Sequence, residues 1–381
     1  MKKIVVTLSI LLIIAAICGI GVGAKRESQN QKKLIALAEK HNNESLNQDE
    51  TMPTSNVYEN LTQKQDINAL VIGDSIAQSN GSTNDSEKWF NLIAKDVKTK
   101  YKSTVTTDLI TGGGTTGIRA WVELNNDKAT KKYDIAYMCF GQKDQWSMTP
   151  AQFGNFYESI IIKLKKTNPN IEIVPIIESS FREYNSYSKV IQELSKQYNL
   201  QVADTISTFT GTPESYENLT TDVEIPNDKG YSYYAKTVEK VIDKNYKAKK
   251  KTNIKYSALY KDTKKLNTFV FDSTPDINSG FTVNSGVTIN NGLVGDKLSN
   301  TLTFNTTNSL AIIHYLRQPN GGKFNVYLDG NLVKTIDTSS TYKATYSDLI
   351  SDNLVGKHII KIEVSAVNQG GTVNILGLAT N

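Results

Sequence analysis

The run Gly73-Asp74-Ser75-Ile76 closes the apolar stretch INALVIG (67–73) and sets a serine at the carboxyl end of a strand-like segment. Open α/β sheets present ligand-facing groups at that edge. A serine hydroxyl there becomes a nucleophile only when a base takes its proton and fixed donors hold the oxyanion that forms. Bases are scarce in this chain. His41, His314 and His358 are the only histidines in 381 residues, so none lies between residues 42 and 313. No CxxC or HExxH spacing is present, which argues against a zinc site and implies neither a metal nor a cofactor. Cys18 and Cys139, the two cysteines, both lie in apolar runs and are not expected to pair.

The elements that must position Ser75 follow from periodicity. From Ile67 onward, apolar strand candidates (67–73, 104–110, 134–140, 171–177, 200–204) alternate with amphipathic stretches (87–101, 150–167, 186–199, 230–246). Short apolar strands separated by helices predict a parallel sheet covered on both faces, a three-layer α/β/α domain over 67–245. Residues 266–381 change character. Short alternating strands dominate, and Asp329-Gly330-Asn331 marks a hairpin, so a β-sandwich or jelly roll is expected. Between the domains, Lys244 to Lys265 holds nine lysines and one acid, Asp262. The net charge of +5 is thus concentrated in a linker, assigned to 246–265 and read as a solvated tether, and no nucleic-acid-binding face is implied. At the other end, Lys2 and Lys3 precede an uncharged run from Ile4 to Ala24, long enough for an export signal or membrane anchor within 1–24. Residues 25–66 are polar and read as a stalk, which would place the rest of the chain outside the membrane.

Four ordered segments of 67–245 resemble the SGNH/GDSL hydrolase superfamily. VIGDSIA resembles the nucleophile block, Gly112-Gly113-Gly114-Thr115-Thr116 the glycine block, and Phe140-Gly141-Gln142-Lys143-Asp144 the GxND block. Asp222-Val223-Glu224-Ile225-Pro226-Asn227 resembles the closing DxxHPN block and is followed by Gly230-Tyr231. The resemblance implies a flavodoxin-like α/β fold and hydrolysis of carboxylic esters, often O-acetyl groups on sugars. It implies Ser75 as nucleophile, the amides of Ser75 and Gly113 as oxyanion donors, and Asp222 as the acid that orients the base. Two positions depart from the pattern: Lys143 replaces the oxyanion asparagine, and Ile225 replaces the histidine base.

Several readings follow. Lys143 could act as the base in a Ser75–Lys143 dyad, or stay protonated by pairing with Asp222. Glu224, or His314 or His358 reaching over from the second domain, are further candidates. Alternatively the turn around Ser75 is kept without activity, and the cleft binds a glycan or an assembly partner. Trp89, Trp121 and Trp146 follow the cleft blocks; Trp121 and Trp146 are expected to stack on a sugar ring unless they pack inward. Arg182 and Glu183 follow the fourth strand and are expected to shape specificity. The β-domain resembles, loosely, carbohydrate-binding jelly rolls. A cell-surface or cell-wall polysaccharide is the expected partner, with the membrane reached through the N-terminal segment.

Overall fold

The computed structural model describes residues 55–112, 114–126, 131–252, 257–283 and 292–381. The expected membrane segment, most of the stalk, His41, Cys18 and Gly113 lie outside them. Among the described residues no helix is long and apolar enough to cross a membrane.

The first domain is built on β1 (Ile67–Gly73), β2 (Val105–Thr111), β3 (Ile135–Cys139), β4 (Glu172–Ile177) and β5 (Ala203–Asp204). They form a parallel sheet in the order β2-β1-β3-β4-β5. Strand alternation explains why the sheet is apolar on both faces. Leu70 and Ile72 join one core with α3 (Gly117–Asn126), α4 (Pro150–Thr167) and α5 (Ser186–Gln197). Ala69 and Val71 join a second core with α2 (Trp89–Tyr101) and α7 (Asp228–Lys247). Helix α4 begins where its sequence dictates: Thr149 and Gln152 form a capping box around Pro150. A short α6 (Thr205–Thr210) follows β5.

Two expectations are corrected at the domain edges. Residues 57–62, assigned to the polar stalk, form α1, capped by Asn56, and bury Val57, Tyr58 and Leu61 in the second core. The Asn60 amide also donates to Asp134 at 3.1 Å. The stalk therefore ends before this helix. The lysine-rich segment is not a solvated tether either. Lys250 pairs with the buried Glu172 at 2.7 Å. Further on, the fully buried Glu158 of α4 accepts from Leu259 N–H (2.6 Å), Tyr260 N–H (2.8 Å), Thr263 Oγ1 (2.8 Å) and Tyr198 Oη (2.9 Å). Lysine counts hid this docking because most of its anchors are backbone amides and a threonine hydroxyl meeting one buried acid.

The second domain is a sandwich. One sheet runs β13 (Asn331–Asp337), β12 (Lys323–Leu328), β15 (His358–Ala366), β10 (Thr301–Thr306), β7 (Ile277–Ser279). The other runs β14 (Ala344–Ser351), β11 (Ala311–Arg317), β16 (Val373–Thr380), β9 (Leu293–Gly295), β8 (Thr282–Val283), with β6 (Val270–Asp272) also on β16. The expected hairpin is β12–β13, and Asp329 (φ 51°) and Gly330 (φ 83°) adopt the left-handed conformations its tight turn needs. Phe304, Tyr315 and Phe324 fill the space between the sheets. The outer face of β11 and β16 is also covered, because Ile312 and Ala379 join Trp121 and Phe156 in the first domain's core. The two domains thus share an apolar core.

Candidate active site at the carboxyl edge of the parallel sheet

The nucleophile turn is fixed by close backbone approach. A Cβ on Gly73 would stand 1.9 Å from the Cys139 carbonyl oxygen, so only glycine lets β1 meet β3 here. Asp74 N–H donates to that same carbonyl at 3.3 Å, and Asn80 N–H returns to the Ser75 carbonyl at 3.0 Å. Ser75 is buried at the head of this turn. Trp89 braces the turn from below. It is fully buried, and its indole N–H donates to the Ala77 carbonyl at 2.9 Å.

Three buried carboxyl groups lie under the site, each holding a different loop. Asp74 Oδ1 accepts Ile76 N–H at 2.7 Å, Asp144 Oδ1 accepts Gly117 N–H at 2.7 Å, and Glu178 Oε2 accepts Gln142 N–H at 2.9 Å. The nucleophile turn, the start of α3 and the 141–144 loop are thereby tied to one acidic cluster. Burial pushes Asp74 up to about 6 and Asp144 up to about 7. Glu178 is raised well above the carboxylate range by burial and then by the charge on Asp74. Glu178 belongs to none of the sequence motifs; its one signal is a charged residue directly after the strand segment IEIVPII.

The sign of the pH effect follows. An acid whose pKa is higher folded than unfolded gives a native state that binds more protons than the unfolded chain, so stability falls as pH rises between the two values. For Asp144 that window runs from about 4 to about 7. Asp144→Asn keeps an acceptor for Gly117 and removes the titration. Its thermal midpoint is expected to decline less than that of wild type between pH 5 and pH 8. Parallel declines would show that Asp144 is not the group responsible.

Lys143 follows Gly141-Gln142 after β3, and its ammonium pairs with the Glu224 carboxylate. Burial opposes its charge, but Glu224, aided by Asp74 and Glu178, holds its pKa above the ordinary lysine value. The dyad expectation is therefore corrected. A protonated, paired ammonium cannot take the Ser75 proton, and its partner is Glu224, not Asp222. Asp222 instead turns the chain, its Oδ1 accepting from Glu224 N–H (2.8 Å) and Ile225 N–H (2.7 Å). Ile225, half-buried, packs against the second core and closes on Gly81, whose added Cβ would stand 2.9 Å from Ile225 Cγ2.

The remaining histidines are committed elsewhere. His314 is buried in β11 with Nδ1 2.8 Å from Ser347 Oγ and Nε2 3.9 Å from Glu123, and burial lowers its pKa to about 4. His358 pairs with Asp329 at 2.7 Å beside the β12–β13 hairpin. Neither reaching-over reading is met.

Of the expected ring-stacking residues, Trp121 is corrected. It is fully buried, edge-on to Phe156 and Phe269 (centroids 5.8 and 5.1 Å), with its indole N–H on the Leu266 carbonyl at 3.3 Å. Trp146 stands 80% exposed beyond Lys143. Arg182 takes a left-handed φ of 59°, lays its guanidinium over Tyr216 at 4.2 Å, and donates to the Val223 carbonyl at 3.4 Å. It braces the closing turn. Gly113, the expected second oxyanion donor, lies outside the described residues, while its neighbour Gly112 has φ +149°, a glycine conformation.

Residues 71–233 match the GDSL-like Lipase/Acylhydrolase family, a span that contains Ser75, the 141–144 loop and the 222–227 turn. The α/β domain is a GDSL-like domain. Among curated proteins none matches the chain. Two solved structures align over both domains. The crystal structure of a two-domain esterase active on acetylated mannans has a TM-score of 0.72 at 15% identity, covering 85% of this chain and 93% of that one. The same esterase co-crystallised with mannopentaose gives 0.72 at 14%, covering 85% and 94%. At that identity the likeness establishes the fold: a GDSL-like domain followed by a β-domain in one body. Within the matched span, Lys143 is paired with Glu224 and Ile225 packs against the second core.

Proposed function

We propose that this protein acts on O-acyl groups of a cell-surface polysaccharide, as a carbohydrate esterase of the GDSL type. The observation that carries the reading is the placement of Ser75, at the tip of the nucleophile turn after β1, an inner strand paired with β2 and β3, between the glycine turn and the Lys143 loop. In the reaction, Ser75 Oγ bonds to the acyl carbon, its proton leaves to a base, and the carbonyl oxygen becomes an oxyanion. The Ser75 amide and the Lys143 ammonium are the donors offered to that oxyanion. A fixed positive charge there substitutes for the neutral amide of an asparagine. With Ile225 at the imidazole position, the base falls to Glu224 or to water, and turnover is slow. Trp146 supplies a stacking face for a sugar ring at the rim, and the segment before residue 25 holds the protein at the outer face of the membrane. The acetylated-mannan activity of the two-domain relative supports an acylated polysaccharide as substrate class.

A second reading is favoured by Ile225 itself. With no imidazole, the domain binds its glycan or an assembly partner without cleaving it. Acetyl-ester turnover by the full chain beside its Ser75→Ala variant separates the two. The esterase reading expects a wild-type rate at least tenfold above the variant, whereas equal rates leave only the binding reading.

A further inference from the structure

The two domains enclose an open groove of about 510 Å³ beside the nucleophile turn. On one side it is lined by Gln78 and Asn80, from the loop that follows Ser75, and by Arg119 of α3. On the other side stand Tyr342 and Lys343, from the loop between β13 and β14. Its volume lies within the range of ligand-holding clefts.

The polar groups of the groove fall into two sets. Arg119 and Glu123 are spent on structure: Arg119 donates to Thr115 Oγ1 and pairs with Glu123 at 3.3 Å, and Glu123 accepts from Thr345 Oγ1 at 2.7 Å. This chain ties the glycine turn to β14 and fixes the groove's width. At the same junction Gly114 lies against Tyr346, where an added Cβ would fall 2.1 Å from the ring. Gln78, Asn80 and Lys343 are the other set. Among the described residues, none of their side chains makes a hydrogen bond or ion pair within the fold. Tyr342 is 48% exposed, and its hydroxyl lies 3.4 Å from that of Tyr346. One aromatic face with several uncommitted donors and acceptors matches a ring that is apolar on its C–H face and hydroxylated at its edge.

The geometry points to a glycan-binding subsite shared by the two domains, in which Tyr342 stacks on a sugar ring and Gln78, Asn80 and Lys343 hydrogen-bond its hydroxyls. This deepens the polysaccharide reading above, on which it rests. It makes the β-domain a wall of the cleft and not a separate lectin module. The groove adjoins the nucleophile turn, since Asn80, one of its lining residues, bonds its N–H to the Ser75 carbonyl.

The test measures binding on the full-length Ser75→Ala chain, so its outcome does not depend on whether wild type cleaves any ester. The probes are immobilised acetylated mannan and a panel of bacterial wall and capsular polysaccharides, each also in chemically deacetylated form. Retention on at least one polysaccharide is expected, with affinity reduced about tenfold by adding Tyr342→Ala. A similar loss is expected for Asn80→Ala, and both should come with unchanged thermal midpoints. Tyr327→Ala, on the opposite sheet of the sandwich, should bind as the parent does. The subsite is overturned if no polysaccharide on the panel is retained, or if Tyr327→Ala loses binding while the two groove variants keep it.

Discussion

Ile225→His is expected to raise Ser75-dependent acetyl-ester turnover by roughly 10²- to 10⁴-fold, the usual contribution of a positioned general base. The residue enters a site whose other parts are already held. Asp222 uses Oδ1 for the amides of Glu224 and Ile225, and among the described residues nothing bonds its Oδ2, which is left for an imidazole N–H. The turn that carries position 225 is pinned by Thr221 N–H to the Ile225 carbonyl at 2.8 Å and by Asn227 N–H to the Leu219 carbonyl at 3.0 Å. An imidazole is close in volume to the isoleucine side chain, so its fit against Gly81 needs little movement. The gain should appear as pH rises through about 6.5, where an unperturbed imidazole loses its proton and becomes a base. It should vanish in the Ser75→Ala, Ile225→His double variant. If the single variant folds and turns over no faster than wild type, then the missing histidine is not the main barrier. The Lys143–Glu224 pair would then be the obstacle, through its effect on the space facing Ser75.

Glu158→Ala should be among the most destabilising single changes in the chain. Its carboxylate is fully buried and accepts from two backbone amides and two hydroxyls. Truncation leaves these donors without a partner and opens a void, which together cost about 3–5 kcal/mol. The loss should be read as a lower urea midpoint with the slope unchanged, the mark of altered stability without altered unfolding extent. Three of its four partners lie in 259–263, so the change also releases the segment that leads into the β-domain. A midpoint shift equivalent to less than about 1 kcal/mol would mean that the docked segment is held by its apolar contacts alone. Tyr260 against Gly154, where an added Cβ would fall 2.3 Å from the ring, is the contact to examine then.

Much of this architecture was legible in the chain because the patterns concerned are local. Mostly apolar strands such as INALVIG and IEIVPII fit a sheet covered on both faces. The Thr149-Pro150 start gave α4 its first residue, and Asp-Gly gave the β12–β13 turn. The nucleophile turn was visible as Gly73-Asp74-Ser75, and the absence of histidine between 42 and 313 was a matter of counting. Helix α1 and strand β14 were harder. Their sequences, VYENLT and ATYSDLIS, are polar enough to pass for loop until a neighbouring surface covers their apolar positions.

The sequence by itself determined the fold class, the Gly73-Asp74-Ser75 turn and the absence of any histidine between residues 42 and 313, since each is written in residue type and short-range spacing. Tertiary structure decided the partners. Lys143 pairs with Glu224, 81 residues away, and Glu178 reaches Gln142, 36 residues back. Trp121 faces inward because Phe269, from beyond the lysine-rich segment, arrives to cover it. Whether a lysine is a base or an ion-pair partner, and whether a tryptophan is a platform or a core residue, depends on which charges and surfaces long-range packing brings within a few ångströms. Burial and ion pairing set those outcomes, and neither is a property of the residues that flank a side chain in sequence.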